Sequence, residues 1–105
     1  MAWVMLIIAG LFEVVWATAM KQSQGFSRLV PSIVTFAAMF VSFGLLSWSM
    51  RSLPLGTAYT VWTGIGAIGA FIIGIAVLGE AASAMRIGAA VLIVCGLVMM
   101  KLAEG

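Results

Sequence analysis

Four apolar stretches, each about twenty residues long and separated by short charged connections, constrain this chain more than any other feature. They cover residues 2–20, 30–50, 57–78 and 84–101. At 1.5 Å rise per residue, roughly 20 apolar residues cross a ~30 Å hydrocarbon core. Inside hydrocarbon the backbone must satisfy its own polar groups, which four separate stretches of this length do as helices. The expected fold class is therefore an all-α membrane protein with four transmembrane helices, forming one domain over residues 1–105. Only 8% of the residues are charged, against about 25% in ordinary globular domains. The spans leave no length for a soluble catalytic domain, so no enzyme is expected.

The connections carry the punctuation. Lys21 and Arg28 bracket the first, Arg51, Pro54 and Gly56 mark the second, and Glu80 and Arg86 bracket the third. Pro31 suits a first helical turn, where its missing N–H costs nothing. Thr57 and Ser83 are expected N-caps of the third and fourth helices, and Gly79 can end the third. Ala17-Thr18-Ala19 imitates a signal-peptide cleavage site. No Lys or Arg precedes the apolar run, however, and Glu13 interrupts it, so the first helix is expected to remain. The net charge of +2 is small and dispersed, so no nucleic-acid partner is expected. With one cysteine, Cys95, and no histidine, neither an internal disulfide nor a metal site or other cofactor is expected.

Four spans put both termini and the second connection on one face of the membrane. That face holds Arg51 and Lys101, and the other holds Lys21, Arg28 and Arg86. Orientation follows the Lys/Arg bias between faces, and two against three is almost none. Either one orientation wins through details of insertion, or the chain inserts both ways and pairs with an inverted copy. Larger transporters obtain such inverted symmetry from internal repeats, with the site at the midplane. An antiparallel homodimer would supply it from two short chains.

Glu13 lies about eleven residues into the first run, roughly 17 Å along a helix axis, near the middle of a bilayer. A charged residue there costs about 2.5–3.5 kcal/mol on the insertion scale. The bland explanation is a protonated glutamate that holds helices together. The functional one is a proton or cation site. A two-fold axis in the membrane plane would place two Glu13 carboxylates at one depth, facing one cavity and titrating as a coupled pair. Protons and a cation competing there, with alternating access, amount to antiport.

Gly10, Glu13 and Trp16 share a face at i, i+3, i+6 spacing, and Tyr59 and Trp62 share one on the third helix. Ser42 is a polar group at membrane depth on the second helix. Aromatic faces attract cations, so Trp16 and Trp62 are expected to line the cavity, while Trp3 and Trp48 suit the interfacial belt. Met39, Phe43 and Leu46 offer a flexible apolar wall where a substrate tail could leave. Gly64, Gly66, Gly69 and Gly74 are expected to serve close packing or a hinge in the third helix. The fourth helix has no acidic or strongly polar residue and is expected to associate with a second copy, through Gly88, Ile93 and Gly96.

The segments "AGLFEVVWATAMKQSQGFSR" and "LPLGTAYTVWTGIGAIGA", with the uncharged fourth helix, closely resemble the small multidrug resistance family of transporters. Within it they look most like the guanidinium-exporter subtype. The resemblance spans essentially the whole chain. It implies a four-helix protomer, an antiparallel and often dual-topology homodimer in the plasma or bacterial inner membrane, and exchange of protons for cations. It also implies that Glu13 is the shared proton and substrate carboxylate, surrounded and hydrogen-bonded by Gly10, Trp16 and Ser42, with Tyr59 and Trp62 as the aromatics of the third helix. The substrate expected from both the resemblance and the chemistry is guanidinium, whose forked N–H donors match carboxylates. Two other readings stand beside it. One is a broad exporter of quaternary ammonium and other drug cations; the other is a membrane assembly factor that transports nothing.

Overall fold

The computed structural model describes residues 2–104. They form four helices: α1 (Ala2–Gln22), α2 (Leu29–Ser49), α3 (Leu55–Ala76) and α4 (Ala84–Glu104). All four are long and apolar enough to cross a membrane. The four expected runs are all helical, with ends displaced by up to three residues.

The displaced ends have local causes. Pro54, with φ −60° and ψ 151°, is itself the residue before α3. Its ring presets an extended entry, so the helix starts at Leu55 and Thr57 lies one turn inside, buried. Thr57 is therefore not the N-cap that the sequence suggested. Ser83 does cap α4, its Oγ accepting the Arg86 N–H at 3.2 Å. After α3, Gly79 takes a left-handed φ of +73°, which only glycine adopts without steric cost. The Glu80 N–H then turns back to the Gly74 carbonyl at 2.9 Å.

The first connection is tighter still. Gln24, Gly25 and Phe26 are all left-handed, with φ of 51°, 74° and 66°. Buried Ser23 holds this turn by donating to the Met20 carbonyl at 2.6 Å and accepting the Phe26 N–H at 3.0 Å. The Phe26 ring stacks on Phe36 of α2, with centroids 5.4 Å apart.

Helix α1 is the centre of the chain, packed on both α2 and α3. Its close contact with α2 follows from α2's buried stripe of Thr35, Ala38, Ser42, Leu46 and Ser49. Small residues at these positions let backbones approach, and lipid offers no partner for a stray hydroxyl. Each hydroxyl on the stripe is accordingly bonded to a carbonyl. Thr35 donates to Pro31 at 2.8 Å, Ser42 to Ala9 at 2.7 Å and Ser49 to Leu46 at 2.7 Å. The apolar core of Leu6, Ala9, Leu46, Ala58, Val61 and Trp62 gathers where α1, α2 and α3 converge.

Helix α4 packs chiefly on α3, and none of its described residues is buried. Its outer side chains, including Val91, Leu92, Val98 and Met99, are exposed. At its start Arg86 lies 5.0 Å over the Phe71 ring and donates to the Ala81 carbonyl at 2.5 Å. Its contact with Glu80 is longer, at 3.4 Å, and both side chains are about two-fifths exposed. Such pairs contribute little. Glu80→Gln is expected to change stability by less than about 1 kcal/mol, read as an almost unmoved thermal transition in detergent. A large drop would show that the pair holds the connection in place.

Candidate functional site

The site is built where α1 crosses α3, because both helices present small residues at the crossing. Gly10 of α1 receives the Ile65 side chain, and a Cβ at Gly10 would stand 2.6 Å from Ile65 Cγ2. One turn further along, the relation inverts. The Glu13 side chain lies against Gly66 of α3, and Val14 lies against Gly69. Two interlocking notches thus hold the carboxylate against the backbone of the neighbouring helix.

Glu13 Oε1 is buried and has no hydrogen-bond partner among the described residues; the same is true of Trp16 Nε1, three residues on. An acceptor and a donor three residues apart on one helix face are thus both shielded and both unused. A buried polar group left unpaired is unfavourable, so this spot favours any molecule that supplies the missing partners.

Rings continue from that pair. The Trp16 indole meets Phe43 edge to face at 6.2 Å, Phe43 lies 5.7 Å from Trp62, and Trp62 lies 5.6 Å from Tyr59. Trp62 is buried, and its Nε1 donates to Ser42 Oγ at 2.9 Å. Ser42 in turn donates to the Ala9 carbonyl. This relay locks the Trp62 ring across all three helices. Tyr59 is half exposed, at the edge of a groove of about 650 Å³ between α3 and α4.

The structure therefore brings Gly10, Glu13, Trp16, Ser42, Tyr59 and Trp62 into one region, with three differences from the sequence expectation. Trp16 does not hydrogen-bond the carboxylate, its Nε1 having no partner among the described residues. Ser42 spends its proton on Ala9, so it is bonded to α1's backbone and to Trp62 rather than to the carboxylate. Leu46, expected in an open apolar wall, is buried in the core because the three helices converge at its level. Phe43 remains half exposed but also bridges the two indoles, a role its spacing did not reveal. Met39 is half-buried.

Four glycines in the body of α3 each receive a neighbour: Gly64 faces Leu97, Gly66 faces Glu13, Gly69 faces Val14 and Gly74 faces Glu80, while Gly56 in its first turn has open space above it. The helix runs unbroken through all four. Of the α4 positions, Gly88 and Gly96 have open space above them, and Ile93 and Gly96 line the groove shared with Tyr59. Lys101 at the far end of α4 rests 4.8 Å over the Trp3 ring. Among the described residues no three His, Cys, Asp or Glu side chains converge to hold a metal.

Four membrane-length helices, with a carboxylate held at the α1/α3 crossing near aromatic rings, define a multi-pass membrane protein. The family model for Small Multidrug Resistance protein matches residues 1–93, and the chain belongs to that family. Several curated relatives cover 97% of this chain and are themselves covered to 97%. The chain is 59% identical to a protein of Escherichia coli (strain K12) named guanidinium exporter. It is 60% identical to proteins of the same name from Citrobacter freundii and Salmonella typhimurium. These names describe exporters, not enzymes.

Proposed function

We propose that this chain is a proton-coupled antiporter that exports guanidinium and small guanidinyl cations, acting as an antiparallel homodimer in the plasma or bacterial inner membrane. The observation that carries the reading is the buried, unpartnered oxygen of Glu13 on the same helix face as the buried, unpartnered indole N–H of Trp16. The 59–60% identity to proteins named guanidinium exporter supports the choice of substrate.

The mechanism follows from what each group can do. Two Glu13 carboxylates from two inverted copies face a common cavity. In the proton-loaded state they carry no cation. Guanidinium approaches edge-on and places its N–H forks against the carboxylate oxygens as the protons leave. The faces of the cation lie against Trp16 and Trp62, whose π-systems attract positive charge. Ser42 fixes the Trp62 ring, so the cavity wall keeps its shape while its occupant changes. Because protons and cation use the same oxygens, reorientation with one of the two bound exchanges them across the membrane. An apolar substituent on guanidine leaves past Phe43 and Met39. Exposed α4, with Gly88, Ile93 and Gly96, supplies the surface that joins the two copies.

The decisive test compares guanidinium with tetramethylammonium in the same proteoliposomes under a proton gradient, with Glu13→Gln as the control. Charge-assisted hydrogen bonds are worth about 1.5–3 kcal/mol each, so losing one weakens binding about ten-fold or more. Tetramethylammonium has no N–H and should exchange poorly. Equal exchange of both would favour a broad drug-cation exporter, and no proton-driven exchange of either would leave the assembly-factor reading.

A further inference from the structure

We infer that Gly66 is a positioning residue for the Glu13 carboxylate, because the absence of its side chain is the niche in which that carboxylate lies. A Cβ built on Gly66 would coincide with the Glu13 carboxyl, meeting Oε1 and Cδ first and Cγ next. This is a different relation from those made by the other glycines of α3. Gly64 and Gly69 admit the apolar tips of Leu97 and Val14, and Gly74 faces the exposed Glu80. Only Gly66 abuts the charged group at membrane depth.

The setting makes the contact directional. One turn before Glu13, Ile65 fills the notch of Gly10, and one residue after it, Val14 fills the notch of Gly69. These two contacts fix the rotation and height of α1 against α3. With the backbones so fixed, the Glu13 stem has its carboxyl set down on Gly66, and Oε1 is left buried and unbonded. The α3 backbone thereby sets how far the carboxylate reaches into the cavity and which oxygen it presents. A methyl at 66 would leave the helices in register and displace the carboxyl group. Shortening residue 13 by one methylene would withdraw the carboxyl from that methyl.

The inference rests on the reading of Glu13 as the substrate carboxylate, and it makes an exchange-of-sign prediction. Gly66→Ala, Glu13→Asp, the double variant and Gly69→Ala are purified in detergent with 13C at the acidic carboxyls. Guanidinium binding is read by tryptophan fluorescence, and the residue-13 carboxyl by its 13C signal. Gly66→Ala should weaken guanidinium binding about ten-fold, the loss of one charge-assisted bond, and should move the Glu13 carboxyl signal. Glu13→Asp should weaken binding in the parent protein but tighten it in the Gly66→Ala background. In the Gly69→Ala background, where the crowding falls on Val14, it should weaken binding as in the parent. Should Gly66→Ala fail to fold, recovery of folded protein in the double variant carries the same meaning, and continued failure overturns the inference. It is also overturned if Gly66→Ala leaves both binding and the carboxyl signal unchanged, or if Glu13→Asp weakens binding equally in all backgrounds. A parent protein that does not bind guanidinium refutes the substrate reading instead; the carboxyl signal then decides, supporting the niche if it moves and overturning it if it stays.

Discussion

Glu13→Gln is expected to insert and dimerise normally and to lose both guanidinium binding and proton-driven exchange. Glutamine keeps the length of the side chain and lies against Gly66 as glutamate does, so the α1/α3 crossing retains its shape. What changes is chemistry. The amide neither takes up nor releases a proton, so the step that couples the two gradients vanishes. It also replaces one carboxylate oxygen by an N–H₂ donor, which points at the donors of guanidinium rather than accepting from them. Losing two charge-assisted bonds of about 1.5 kcal/mol each already weakens binding about 100-fold. Removing the charge in a shielded site adds to that loss. The measurement is guanidinium exchange in proteoliposomes, alongside size-exclusion of the purified variant to show an unchanged assembly. Exchange at the parent rate would overturn the mechanism, whatever the fate of the fold.

The four spans were legible because hydropathy in a chain with eight charges is an all-or-none signal. Glu13 was legible for the same reason, as an acid where the bilayer tolerates few. Helical spacing also placed Gly10, Glu13 and Trp16 on one face and Tyr59 beside Trp62. The contacts between helices were not legible. Whether Ser42 serves Glu13 or the Ala9 carbonyl depends on the rotation of α2 about its own axis, which an almost uniformly apolar helix does not encode. Membrane helices lack the polar outer face that fixes rotation in soluble bundles. Leu46 was misplaced for a related reason. Its spacing from Met39 and Phe43 is that of one face, but it also stands four residues after Ser42 on the buried stripe of α2, and there it joins the core shared by three helices. Gly66 could not be singled out among four glycines, since a missing side chain has meaning only once its neighbour is known.

Charge added to one face of the membrane is expected to abolish activity of the chain expressed alone, and a partner biased the other way is expected to restore it. As it stands, Arg51 and Lys101 face Lys21, Arg28 and Arg86, two against three. Gln22→Lys with Gln24→Lys makes this five against two. Both positions are exposed at the end of α1 and in the first connection, away from the α1/α3 crossing. The opposite bias comes from Ser52→Lys and Leu55→Lys with Arg28→Gln, which gives four against two in the other sense; these side chains are exposed as well. Lys and Arg within about 15–20 residues of the span ends set orientation, so each variant should insert one way only. If the working unit is an antiparallel pair, neither variant alone can build it, and guanidinium export from cells should fall to that of cells lacking the chain. Together they supply both orientations, and export should return. The two sets of substitutions touch neither Glu13 nor its aromatic neighbours, so restoration on co-expression separates topology from damage to the site. Orientation itself is read by accessibility of cysteines placed in the connections. A variant shown to insert in a single orientation, yet exporting at the parent rate by itself, would exclude the antiparallel pair. The two carboxylates would then have to meet across a parallel interface, where an axis along the membrane normal also keeps them at one depth but opens both protomers to the same side at once.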